Sequence, residues 1–113
     1  MKGTKHDKNK HQYGLIPPFA LRGVAEVLTF GAKKYEKDNL IHVPDSKARY
    51  FDAAQRHIWS WKEGEQSDKE TGKNHLLHAI CCLMFLYEHD IKYSIADPTS
   101  ATNLNKLLKT KKL

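Results

Sequence analysis

Residues 49–90, RYFDAAQRHIWSWKEGEQSDKETGKNHLLHAICCLMFLYEHD, hold two apolar-periodic stretches separated by a wholly polar interval. In the first, Tyr50, Ala53, Ala54, Ile58 and Trp61 recur at helical spacings, which predicts a helix from about Lys47 to Gly64. Gly64 is a natural C-terminal stop, because glycine enters the left-handed region without a Cβ penalty. Glu65 to Gly72 carries no apolar residue and reads as a loop. Asn74 is placed to cap a third helix from His75 to about Asp90. That helix is apolar on nearly every face from Leu76 to Tyr87, the pattern of a central, buried helix.

Upstream, Pro17-Pro18 suits a helix start, and Ala20, Leu21, Val24, Leu28 and Ala32 continue at helical spacing from Phe19 to about Tyr35. Gly31 weakens this helix locally, and the cationic Lys33-Lys34 end favours the negative pole of the helix dipole. Asp38-Asn39, Pro44 and Asp45-Ser46 mark a loop over 36–47. Asp97-Pro98 opens a short C-terminal helix with one apolar edge, Leu104, Leu107 and Leu108. Strand alternation and internal repeats are absent. The expected architecture is all-α: three main helices plus a short C-terminal helix. It divides into a flexible basic arm over 1–14, a helical domain over 15–96, and a helix with basic tail over 97–113. The isolated apolar edges predict that a homo-oligomer completes the bundle.

At 113 residues the chain is one ordinary domain. No apolar run is long enough for a membrane span, and the polar, basic stretch Met1–His11 is no secretory leader, so a cytoplasmic protein is expected. Cys81 and Cys82 are adjacent, which suits neither a disulfide with each other nor a zinc pair, and reads as buried reduced packing. The net charge of +6 is concentrated in Lys2, Lys5, Lys8 and Lys10 and in Lys106, Lys109, Lys111 and Lys112. Such ends solubilise a chain or steer a polyanion toward it. Zinc-finger spacing and a recognition-helix signature are both missing, so sequence-specific nucleic-acid binding is not expected.

Three sets of residues could carry chemistry. Arg49, Arg56 and Ser60 form a polar line on the second helix, with Asp52 four residues before Arg56. Arginine forks match phosphate oxygens, but taken alone this line reads more readily as a surface salt bridge of little worth. His57 sits one turn before Trp61, and His75 and His78 open the third helix on one face that Cys82 continues. Imidazoles there ligate a metal when neutral or donate to a phosphate when protonated. Between them, Glu63, Glu65, Asp68 and Glu70 fall within eight residues, a density that suits a hard cation or simply a solvated loop. A helix–loop–helix brings these groups together, which tips the reading toward a site.

The stretch Leu15-Ile16-Pro17-Pro18, the run from Ala25 to Tyr35 with Asn39, the segment Arg56-His57-Ile58-Trp59-Ser60-Trp61, and then Gly64-Glu65, Asp68, Gly72 and His75-Leu76-Leu77-His78-Ala79 together resemble one phage-associated family. It is the N-terminal domain of dATP/dGTP diphosphohydrolases, and the resemblance covers roughly residues 12–90. It implies a nucleotide-handling protein related to all-α, MazG-like enzymes that use Mg²⁺ to cleave a deoxynucleoside triphosphate to monophosphate and pyrophosphate. Carried over, it makes Glu65 and Asp68 candidate metal ligands. Lys33, Lys34, Arg56, His57, His75 and His78 become candidate phosphate contacts, and Tyr35, Asn39 and Trp61 in the same stretches, with Arg49 of the polar line, complete the candidate nucleotide contacts. The Glu-Glu-x-x-Glu and Glu-x-x-Asp helical motifs of MazG-like enzymes do not occur here.

Two functions are therefore expected to compete. In the first, the protein binds a phosphorylated nucleotide and sequesters it uncleaved, in a phage setting an immune messenger such as a cyclic dinucleotide. In the second, it is a Mg²⁺-dependent dATP/dGTP pyrophosphohydrolase. A helical interaction module with a merely polar surface is the third and weakest reading.

Overall fold

The computed structural model describes residues 3–34 and 45–96. Among them, a short 3₁₀ turn at Tyr13–Leu15 precedes three helices: α1 (Pro18–Lys34), α2 (Ser46–Lys62) and α3 (His75–Ala96). The chain is all-α over these residues, as the periodicity predicts. The C-terminal helix expected from Asp97 and the loop 36–44 fall outside the described residues.

Helix α3 is the axis of the fold. Both α1 and α2 pack on it. Tyr50 stands edge-on to Phe85, with ring centroids 5.3 Å apart, while His57 meets His75 and His78, so α2 and α3 run antiparallel. Against the other side of α3, Val24 and Val27 of α1 pack on Cys81, with Leu28, Leu77 and Phe85 around them. Gly23 permits this approach: a Cβ there would lie 2.6 Å from Leu77 Cδ1. The buried Cys81 Sγ lies 3.8 Å from the Val24 carbonyl oxygen, a weak thiol donation. Both cysteines are buried and unoxidised, and burial pushes the Cys81 thiol up to about 11, so packing rather than reactivity is their role.

Three local expectations are corrected. Helix α3 continues to Ala96 rather than stopping near Asp90, because no glycine or proline intervenes before Pro98. Its all-round apolarity does not mean all-round burial, since Leu76, Ile80, Leu83, Met84 and Tyr87 remain exposed. The Asp52–Arg56 spacing produces no ion pair among the described residues, because both side chains stand in solvent, where such a pair gains little. No described helix is long and apolar enough to cross a membrane.

Candidate functional site

The site begins where α2 ends. Glu63 caps the helix, Gly64 N–H donates to the Trp61 carbonyl and Glu65 N–H to the Ser60 carbonyl, both at 3.0 Å. This is a Schellman closure, and Gly64 takes φ +108° to make it. The closure fixes where the Glu65 side chain starts.

The polar interval that follows is built as tightly as a helix. His75 N–H donates to the Gln66 carbonyl, Asp68 N–H to the Lys73 carbonyl, and Gly72 N–H, at φ +71°, to the Asp68 carbonyl, each at 2.8 Å. Asp68 Oδ2 accepts from Glu70 N–H (3.1 Å), Thr71 N–H (3.0 Å) and Thr71 Oγ1 (3.2 Å). Asn74 Oδ1 accepts Leu76 N–H at 2.8 Å and caps α3 as expected. Lys73 also reaches Glu26 of α1 at 2.7 Å, tying the loop to the first helix.

This frame brings together three imidazoles and two carboxylates. His75, only 4% exposed, places Nε2 2.7 Å from Glu65 Oε1 and Nδ1 2.8 Å from His57 Nδ1. With His75 neutral, its Nε2–H donates to Glu65, and its Nδ1 accepts the Nδ1–H of His57. The His57 ring stacks on His78, centroids 4.6 Å apart and 13° from parallel. His78 Nε2 lies 2.7 Å from Thr71 Oγ1, which in turn reaches Asp68, so a second chain runs His78–Thr71–Asp68 beside the first, His57–His75–Glu65.

The environment sets the charges. Burial first, then the neighbouring imidazoles His78 and His75, hold His57 below the ordinary histidine range, with Asp68 opposing. Burial likewise lowers His78 against the pull of Asp68. Burial alone would raise Asp68, but the Thr71 bonds and the imidazoles leave it below the usual carboxylate range. His57 and His78 are therefore neutral near pH 7, the form that ligates metals rather than the form that clamps phosphate. One ligand atom each from His57, Asp68 and His75 falls within 4.8 Å of the others.

Of the residues singled out in sequence, His57, His75, His78, Glu65 and Asp68 converge. Arg56 and Trp61 are exposed on α2, and Arg49 lies two turns before Arg56 on the same face. Lys33 and Lys34 form the last two residues of α1, while Tyr35 and Asn39 lie outside the described residues. Sequence reading missed Thr71, although Asp68-x-x-Thr71-Gly72 is a side-chain-capped turn pattern that could have shown it. The Mg²⁺ implied for an enzymatic reading does not fit this donor set. Mg²⁺ seeks oxygen ligands, whereas two of the three convergent donors are imidazole nitrogens.

A histidine–carboxylate centre pinned between the facing ends of two antiparallel helices thus defines a small all-α protein with a built polar site. The chain belongs to the family described as dATP/dGTP diphosphohydrolase, N-terminal, which matches residues 1–99. It is 36% identical over 87 residues to a protein of Salmonella phage PMBT28 named dATP/dGTP diphosphohydrolase; the match covers 77% of this chain and 29% of that relative. The chain therefore spans less than a third of the relative's length. No solved structure shows a significant match.

Proposed function

We propose that this chain binds a phosphorylated nucleotide on the α2–loop–α3 hairpin and holds it without cleaving it. Family membership and the name of the phage relative support a nucleotide ligand. Exposed Arg49 and Arg56 offer guanidinium forks to phosphate, and Trp59 and Trp61, 57% and 41% exposed, offer ring faces to a base. The groove at the opposite end of the hairpin sets Asp45, Asp52 and Asp90 against one cation, Lys47, a net negative lining that disfavours a phosphate.

The observation that supports retention over hydrolysis is the donor set: Mg²⁺-dependent cleavage calls for convergent oxygen ligands, whereas Asp68 meets two imidazoles, His57 and His75, at the centre of the site. A cyclic dinucleotide or a purine deoxynucleotide would both suit these contacts. The second reading, pyrophosphohydrolysis, is favoured by the relative's name. One assay separates them: incubation with dATP, dGTP and cyclic dinucleotides plus Mg²⁺ or Mn²⁺, denaturation, and chromatography. The expected result is intact nucleotide recovered from the complex, with affinity reduced about tenfold in Arg56→Ala, a loss of ~1.4 kcal/mol. Pyrophosphate release that vanishes in Asp68→Ala would establish the hydrolase instead.

The same proposal includes self-association. Leu76, Ile80, Leu83 and Tyr87 follow one another at four-, three- and four-residue steps along α3, a heptad-like stripe that remains exposed. No large side chain among the described residues is fully buried, so one copy alone buries little. A second copy laid along this stripe would supply the missing burial. Light scattering should give a mass above the 13.0 kDa of one chain, falling toward it in Leu83→Glu; a wild-type monomer would refute this.

A further inference from the structure

We propose that His57, His75 and Asp68 form a three-ligand site for a borderline divalent transition ion such as Zn²⁺ or Co²⁺, with Glu65, Thr71 and His78 as the groups that orient the ligands. The donor set is the first argument. Two imidazoles and one carboxylate offer atoms within 4.8 Å of one another, at an intermediate to buried position. Imidazole nitrogen suits Zn, Cu, Fe and Ni, whereas carboxylate and water oxygens suit Mg and Ca. Three protein ligands leave a further coordination position for a water or a phosphate oxygen.

The second argument is independent of ligand proximity and lies in what stands behind each ligand. Metal-bound histidines donate their other ring N–H to a carboxylate, which fixes the tautomer and raises ligand basicity. His75 does this: Nε2 is 2.7 Å from Glu65 Oε1, which directs Nδ1 toward His57. Ligating carboxylates are themselves hydrogen-bonded. Asp68 is held through Oδ2 by two backbone N–H groups and the Thr71 hydroxyl, and none of these bonds uses Oδ1. Thr71 is in turn positioned by His78, 2.7 Å away.

The 2.8 Å Nδ1–Nδ1 contact then has a specific meaning. A proton shared between two imidazole nitrogens occupies the place a cation would take. Tetrahedral ligand nitrogens lie roughly 3.3 Å apart at ordinary Zn–N distances, so the rings need to separate by about half an ångström. His57 supplies its lone pair by moving its single proton to the other ring nitrogen, a tautomer exchange with no net proton loss. The assignment stands whether or not the nucleotide reading holds.

The test uses the metal alone. The full chain is stripped with EDTA and titrated with Co²⁺, followed by visible absorption, and with Zn²⁺, Mn²⁺ and Mg²⁺, followed by calorimetry and thermal melting. Co²⁺ should develop ligand-field bands at one equivalent, and Zn²⁺ should raise the Tm while Mg²⁺ at the same concentration does not. His57→Gln should abolish the bands while retaining helical circular dichroism. Glu65→Gln, which keeps a hydrogen-bonding partner, should weaken Zn²⁺ binding between about 10- and 100-fold. A His6→Gln/His11→Gln variant, lacking the histidines of the N-terminal arm, should bind as the wild type does. Absent bands, unchanged binding in His57→Gln, loss of binding in the arm variant, or equal response to Mg²⁺ would each overturn the assignment.

Discussion

Replacing His75 with alanine is expected to destabilise the protein by about 3 kcal/mol, the largest effect of any single substitution in the hairpin. The side chain is 4% exposed and joins Glu65 on one nitrogen to His57 on the other. Truncation leaves the His57 N–H without an acceptor, removes a charge-assisted bond from Glu65, and opens a void at the first turn of α3. The cost of orphaning a partly buried donor adds to the loss of the buried His75 side chain itself, which is why deletion is more severe than the bond count implies. Urea unfolding followed by circular dichroism measures it. A change below about 1 kcal/mol would mean that the His57–His75–Glu65 chain contributes little to holding the helix ends together.

Acid is the second large perturbation. His57 and His78 both have folded-state pKa values below their unfolded ones, chiefly through burial. Between those values the unfolded chain binds protons that the folded chain refuses, so stability falls as pH drops below about 6.5. Stability is fully present above the unfolded value and has lost this contribution once pH passes the folded one. Asp68, lowered in the fold, acts in the same direction at more acid pH: its contribution is present above its unfolded pKa and lost as pH falls through its folded pKa. Thermal melts from pH 8 to pH 4.5 should therefore show Tm declining from about pH 6.5 downward, before ordinary carboxylates titrate. His57→Gln and His78→Gln should each flatten the upper part of that decline. A wild-type Tm constant between pH 7 and pH 5 would remove the imidazoles from the account.

Much of this fold is legible in the chain itself, because its signals are local. Helical spacing sets the three helices, Gly64 and Asn74 mark the facing ends of α2 and α3, and adjacent buried cysteines follow from their apolar neighbours. The clustering of His57, His75 and His78 with Glu65 and Asp68 is also readable, since a short connection between two helices brings their ends together. What each residue does there is less legible. The charge state of an imidazole depends on burial and on which groups face it, and spacing encodes neither. The acidic loop reads as a dense negative patch, yet one oxygen of Asp68 is held by backbone and Thr71 donors while Glu65 faces a histidine. Gly23 carries no sequence signal at all, because its importance lies in a side chain, Leu77, more than fifty residues away.

The short closure between α2 and α3 also determines the order in which this molecule can assemble. Every bond of the histidine centre joins residues no more than 18 positions apart, whereas α1 is tied in through contacts separated by 47 and 57 positions. Loop-closure entropy makes near contacts cheap and distant ones slow. The hairpin with its imidazoles can therefore organise first and present α3 as a template. That order predicts that helix α1 docks last, onto a hairpin whose imidazoles have already met.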